Sequence, residues 1–210
     1  MTDNPDLPRQ SPATTRNRNP ILAVLNDVLP QSGLVLEVAS GFGEHAAWFG
    51  PRFPGLVWQT SAPEADSRQS IGAWIAALAQ SGEDVSNLPP PLKLDVHDDP
   101  WPVSAAAAVV CINMVHITPW ATTQALLAGA GRVLPTGGPL YLYGPYLIDG
   151  EATSDSNRAF DQDLRRRNPL WGIRDLAAVT DEAARHGLVF EDRRAMPANN
   201  FSVIFKKAEN

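Results

Sequence analysis

One cysteine, Cys111, stands among 210 residues. That count excludes an intramolecular disulfide and any cysteine-based metal cluster. Cys111 lies inside the apolar run Val109-Val110-Cys111-Ile112, so it reads as a small buried hydrophobe and not as a nucleophile. No apolar stretch approaches the ~20 residues that span a bilayer, and a membrane partner is not expected. The N-terminus, with Asp3, Pro5, Asp6 and Pro8, lacks the apolar core of a signal peptide, so the expected setting is cytoplasmic. Basic residues are outnumbered: 17 Lys and Arg face 23 Asp and Glu, a net charge of -6. Nucleic acid is therefore not an expected partner, since phosphate contacts need clustered Lys and Arg; a small-molecule substrate suits this balance. The four histidines (His45, His97, His116, His186) show no ligand spacing, and no metal site is expected. Internal repeats are absent.

What is present is enough apolar residue, 44% against 19% charged, for one well-buried domain over residues 16–210. Residues 1–15 are polar and proline-rich and read as a disordered or loosely draped tail. From Pro20 the spacing of Ile21, Leu22, Val24, Leu25, Val28 and Leu29 predicts a helix, with Pro20 in its first turn. Strands and helices then alternate: strands at Leu34–Val38, Leu56–Gln59, Leu92–Leu94, Ala107–Ile112 and Gly138–Tyr143, helices at Glu44–Phe49, Ser67–Ala79 and Thr122–Val133. Alternation at this pitch implies parallel strands with helices on both faces. A polar segment, Asp149 to Trp171, precedes a helix at Arg174–Arg185 that stops at Gly187. Leu188–Ala195 and Phe201–Phe205 are separated by only five residues, which makes a terminal antiparallel hairpin. The expected fold is a Rossmann-like, seven-stranded, mostly parallel sheet closed by that hairpin.

The densest signal is Leu34-Val35-Leu36-Glu37-Val38-Ala39-Ser40-Gly41-Phe42-Gly43-Glu44-His45. An apolar strand ends in an acid, passes through a small-residue loop and enters a helix. Such a loop lets a ligand lie against the backbone, with Gly41 and Gly43 permitting close approach. Glu37 is placed to accept two hydrogen bonds from a ribose diol. In open α/β sheets ligands sit at the carboxyl ends of strands, and polar groups gather there: Glu37, then Asp95 with Val96, then Asn113 with Met114. After strand two no acid stands cleanly; Ala62 occupies the convenient place, leaving Ser61, Glu64 or Asp66. Asp95 is open to a second reading as a turn cap.

The spacing Glu37-x-Ala39-x-Gly41-x-Gly43 resembles the first motif of class I S-adenosylmethionine (AdoMet)-dependent methyltransferases, with Ala39 where glycine is common. Further segments narrow the resemblance: Arg16-Asn17-x-x-Pro20-Ile21-Leu22, Trp58-Gln59-x-Ser61, Leu94-Asp95-Val96, Ile112-Asn113-Met114-x-His116-Ile117-x-Pro119-Trp120, Tyr143-Gly144-Pro145-Tyr146, Ser156-Asn157-x-x-Phe160-Asp161 and Trp171-Gly172-Ile173-Arg174-Asp175. From about Arg16 to Lys206 these resemble a small family of methyltransferase-like proteins of unknown function. The resemblance implies a cofactor, AdoMet, whose product is S-adenosylhomocysteine, held by Glu37, Ala39, Ser40, Gly41, Gly43, Ser61, Asp95, Val96, Asn113 and Met114. It implies Asp95 at the adenine amine and Val96 on the ring. Ser156, Asn157, Phe160 and Asp161 fall where similar enzymes cover the site, and Arg16 with Asn17 would fold over the cofactor as a lid.

Methyl transfer from a sulfonium is an in-line displacement, so the protein must align the acceptor and take a proton if one is released. His116, three residues past Asn113, is the candidate base, since an imidazole pKa near ~6.5 suits that task; the alternative is a histidine that bonds a loop backbone. Tyr143 is the second catalytic candidate, and Trp120 and Tyr146 with it would wall an acceptor pocket. His45 is expected to brace its turn. Arg165-Arg166-Arg167 reads as a solvated helix face paired with Asp161 and Asp163. Three functions remain: a methyltransferase acting on a small molecule, an AdoMet-binding sensor or scaffold without turnover, and a nicotinamide oxidoreductase reading Gly41-x-Gly43-x-x-Ala46 as a dinucleotide fingerprint.

Overall fold

The computed structural model describes residues 8–209. Contacts cluster into two compact units, Met1–Val110 and Cys111–Asn210. The first unit opens with α1 (Pro12–Val28), then β1 (Gly33–Val38), α2 (Glu44–Phe49), a single 3-10 turn, β2 (Leu56–Thr60) and α3 (Ala65–Gln80). The strand β3 (Ala108–Ile112) carries the chain into the second unit. There follow α4 (Trp120–Val133), β4 (Pro139–Gly144), the short strands β5 (Tyr146–Ile148) and β6 (Glu151–Ala152), α5 (Asp155–Arg167), β7 (Arg174–Asp175), α6 (Leu176–Arg185), β8 (Leu188–Met196) and β9 (Asn200–Lys207).

One sheet has six strands in the order β2-β1-β3-β4-β9-β8, and a minor sheet runs β6-β5-β7. Strand β1 pairs parallel with β2, Glu37 standing opposite Thr60. Strand β9 pairs antiparallel with both β4 and β8, which is the terminal hairpin the short Met196–Asn200 link required. The strands themselves are apolar on both faces, as in Ala108, Val109 and Val110 of β3 and Leu140, Tyr141 and Leu142 of β4, all essentially inaccessible. That is the composition of a sheet covered on both sides.

Two expectations need correction. The sheet has six strands and not seven, because Leu92–Leu94 forms only an isolated parallel bridge between Leu92 and Ser61. Leu92 gives its N–H to Thr60 O and receives Ala62 N–H, at 3.0 and 3.1 Å. The three residues before it, Pro89-Pro90-Pro91, have no N–H to extend a ladder. The first helix begins at Pro12, with Pro20 inside it. Buried Thr14 and Asn17 interrupt its apolar periodicity, which is why the pattern becomes visible only from Pro20. Residues 12–15 of the expected tail are thus helical; residues 1–7 lie outside the described residues. The polar segment after Asp149 contains the helix α5, capped by the Ser154 hydroxyl accepting Asn157 N–H, where a helix face was expected at Arg165-Arg166-Arg167. Its arginines do form a solvated, ion-paired face, Arg165 with Asp161 at 2.7 Å and Arg166 with Asp163 at 2.8 Å.

Candidate functional site

In the first unit, strand order turns back at β1, and β1 ends in the glycine loop. Three of its residues are left-handed: Ala39 (φ 54°), Gly41 (φ 55°) and Gly43 (φ 90°). The two glycines differ in purpose. A Cβ built on Gly41 meets nothing within 4 Å, so one face of the loop is open. A Cβ on Gly43 would fall 2.8 Å from Ile71 Cγ1 and 3.0 Å from Ile71 Cα. Gly43 therefore seats the loop on α3, and the open face of the loop lies at Gly41.

Ser40 and Ser61 tie the loop to the end of β2. Both hydroxyls donate to the Glu37 carbonyl, at 3.1 and 2.8 Å, and Ser40 N–H donates to Ser61 O at 2.9 Å. Their side chains are spent on the fold. Ala62 is buried, and Arg68 fixes the turn after it by donating to the Ala62 and Pro63 carbonyls, at 2.8 and 2.6 Å. Glu64 and Asp66, at the start of α3, are exposed.

Glu37 is only 2% exposed, and its Oε2 accepts the indole N–H of the fully buried Trp58 at 2.6 Å. Burial raises its pKa from 4.5 to about 7, against the opposing pull of the Trp58 bond. Glu37 is thus a buried group beneath the loop, with one carboxylate oxygen held by Trp58 and a carboxyl half neutral near pH 7. Asp95 is a turn residue in this geometry: its Oδ1 accepts His97 N–H at 3.0 Å and its carbonyl accepts Asp98 N–H at 2.9 Å. Val96 is buried beside it.

Asn17 is buried and its Oδ1 lies 2.8 Å from His45 Nε2, which fastens α1 to α2. His45 also stacks on Phe49, and burial with the Arg18 charge lowers its pKa to about 4. The Asn17 amide oxygen thus faces inward to His45, while Arg16, its neighbour, is exposed.

The second unit carries the other candidates. Asn113, just past β3, is left-handed (φ 63°) and its N–H donates to Tyr143 O at 2.8 Å. Met114, Val115 and His116 are buried after it. Arg174 clamps this loop with a fork of donors: to Val115 O at 3.0 Å, to Thr118 O, and to Leu170 O at 2.9 Å. Gly172 N–H adds a bond to His116 O at 3.0 Å. The imidazole is 3% exposed, meets Phe160 edge-on at 5.7 Å, and lies so close to Gly144 that a Cβ there would be 3.0 Å from its Cε1 and Nδ1. Its Nδ1 is buried without a hydrogen-bond partner. Burial, then the Arg174 charge, lowers the pKa to about 4. This corrects the expectation of an unperturbed imidazole: His116 is neutral at physiological pH, free to accept a proton but a weak base.

Tyr143 and Tyr146 are essentially inaccessible, and Tyr146 Oη is buried without a partner. Burial pushes the Tyr146 phenol well above its ordinary value, so it keeps its proton near neutrality. Trp120, half-buried, opens α4. Asn157 is buried and donates to Thr153 Oγ1 and Asn199 O, both at 2.9 Å. It pins α5 to the β8–β9 turn. Among the described residues no cluster of His, Cys, Asp and Glu could hold a metal ion, and no helix is long and apolar enough to cross a membrane.

A family model described as "Protein of unknown function (DUF938)" matches residues 8–207. The chain belongs to the DUF938 family. Solved structures resemble it over nearly its full length. An O-methyltransferase family protein from Burkholderia thailandensis is 17% identical, with a TM-score of 0.75, over 94% of this chain and 58% of the other. Human N-acetylserotonin methyltransferase, solved with SAM, is 14% identical with a TM-score of 0.72, over 94% and 53%. An O-methyltransferase family 2 protein from Planctomyces limnophilus, in complex with apigenin, is 17% identical with a TM-score of 0.70, over 99% and 63%. The chain thus spans little more than half the length of these proteins. At such identities the likeness establishes the fold: this DUF938 protein has the Rossmann-like methyltransferase fold.

Several residues of this DUF938 protein that shape the loops were not visible in its sequence. Trp58, Ile71 and Arg174 act across tens of residues, and Arg68 across five or six. The one usable signal was Trp58, since a tryptophan on a buried strand needs an acceptor for its N–H, and the parallel register sets it near Glu37.

Proposed function

We propose that this protein is an AdoMet-dependent methyltransferase acting on a small-molecule acceptor. The observation that carries the reading is the loop after β1, whose Gly41 face is free of side chains while Gly43, Ser40 and Ser61 hold it rigidly from behind. A nucleoside cofactor can lie along such a backbone. The methyltransferase fold and neighbours solved with SAM or with apigenin support the same reading. Bound AdoMet supplies an electrophilic methyl group on a sulfonium.

In this reading Gly41 and the backbone of Ala39 and Ser40 take the cofactor, Val96 packs on the adenine, and Asp95 meets its exocyclic amine. The ribose hydroxyls are met by Glu64 or Asp66, exposed at the start of α3, because Glu37 is committed to Trp58. In the second unit, Asn113 and Met114 are the residues assigned to a cofactor. His116 orients the acceptor and accepts a proton from it where one is released.

The test is incubation of the protein with methyl-labelled AdoMet and a low-molecular-weight cell fraction. Label passing to a small molecule, with stoichiometric S-adenosylhomocysteine, is the expected result. Retention of label on tightly bound AdoMet, with no transfer to any fraction, would instead identify a sensor or scaffold.

A further inference from the structure

The segment ahead of α1 is fastened to both sides of the glycine loop. Arg9 has both backbone polar groups taken by side chains of α3: its N–H donates to Ser70 Oγ at 3.2 Å, and its carbonyl accepts Trp74 Nε1 at 3.1 Å. Ser70 is 1% exposed, and its own hydroxyl proton goes to the Phe42 carbonyl at 3.0 Å. One hydroxyl therefore links the N-terminal segment to the loop, accepting from the first and donating to the second, an arrangement in which each bond polarises the other. The Arg9 guanidinium lies 4.7 Å over the Phe42 ring, which is otherwise 43% exposed. Beyond the loop, Glu44 accepts Ser11 N–H on one oxygen and the Thr15 hydroxyl on the other.

The loop needs such holding. Ala39, at φ 54°, is left-handed without being a glycine, a conformation that persists only when its surroundings impose it. The ties grip the loop at Phe42 and Glu44 and leave the Gly41 face open. We propose that residues Arg9–Thr15 form a strap that holds the glycine loop in its ligand-receiving conformation, with Ser70 as the positioning residue that couples strap to loop. The ligand arm of this inference rests on the AdoMet reading above; the conformational arm does not.

The test compares the full-length protein with Trp74→Phe and Ser70→Ala. Trp74→Phe keeps an aromatic side chain but removes the donor to Arg9, touching neither loop nor ligand. Three readouts are taken: tryptic cleavage after Arg9, hydrogen–deuterium exchange at Gly43 N–H (which donates to Ser40 O at 3.0 Å), and calorimetric titration with S-adenosylhomocysteine. Release of the strap should speed cleavage at least ~5-fold, raise Gly43 exchange ~10-fold and weaken S-adenosylhomocysteine binding ~3- to 10-fold, as loss of one or two hydrogen bonds implies. Ser70→Ala should raise exchange by as much or more. Faster cleavage in Trp74→Phe with Gly43 exchange unchanged would overturn the strap, and so would unchanged exchange in Ser70→Ala. If the unaltered protein fails to bind S-adenosylhomocysteine, the cofactor reading falls, and the exchange data alone still decide the strap.

Discussion

Replacing Glu37 with glutamine should change how stability depends on pH. The carboxyl is fully buried and its pKa is raised from 4.5 to about 7. The folded protein thus holds a proton that the unfolded chain releases, and stability falls as pH rises through that window. At ~1.36 kcal/mol per unit of pKa, the shift corresponds to ~3 kcal/mol lost between pH 4.5 and 7. Glutamine keeps an oxygen for Trp58 Nε1 and carries no charge. The two proteins should be nearly equal in stability at pH 4.5, and the variant should gain by up to ~3 kcal/mol at pH 8, or roughly 6–12 °C in melting temperature for a chain of this size. His45 and His116 have folded pKa values lowered to about 4. Their contribution is present above ~6.5 and lost as pH falls toward 4, but it is common to both proteins and cancels in the difference. Urea unfolding at a series of pH values from 4.5 to 8 reads that difference directly. A difference that stays flat across the range would refute the reasoning, since it would mean the Glu37 carboxylate is not desolvated.

The two loop glycines should separate. Gly41→Val costs ~1–2 kcal/mol for its left-handed φ but leaves the fold intact by circular dichroism while abolishing S-adenosylhomocysteine binding; Gly43→Val drives a side chain into Ile71 and should destabilise by ~3 kcal/mol or more in chemical denaturation. Ala39→Gly relieves a left-handed alanine and should stabilise by up to ~1 kcal/mol, less what glycine loses through the unfolded state; a destabilised variant would contradict this. The His116 ring, followed by NMR, should titrate near 4, and Arg174→Gln should raise that value, because the guanidinium charge no longer opposes protonation; an unperturbed titration near 6.5 in the unaltered protein would show the imidazole to be solvated. Asp66→Ala and Glu64→Ala together should weaken S-adenosylhomocysteine binding by at least ~10-fold, the loss expected of a charge-assisted bond to the ribose, whereas neither matters if Glu37 holds the diol.

Much of the fold was legible because alternating apolar runs and short links leave few arrangements: β1, α2, β2 and the terminal hairpin fall where periodicity put them. The exceptions have physical causes. Three prolines cut short the expected strand at Leu92–Leu94. Polar Thr14 and Asn17 face inward on α1, and their partner His45 sits 28 residues further on. In the site, the glycine loop was plain from local spacing, but the roles within it were not. That Gly43 yields to Ile71, that Glu37 serves Trp58, and that Arg174 grips three carbonyls all depend on long-range packing. Desolvation of His116 likewise comes from Phe160 and Gly144, neither adjacent in sequence, so its pKa could not be read from residue type.

The most direct measurement of the central claim is calorimetry with S-adenosylhomocysteine and NAD on the unaltered protein and on Gly41→Val. The account predicts one saturable site for S-adenosylhomocysteine on the unaltered protein, lost in Gly41→Val, and no tight binding of NAD. Saturable NAD binding without affinity for S-adenosylhomocysteine, or equal S-adenosylhomocysteine binding by both proteins, would contradict it.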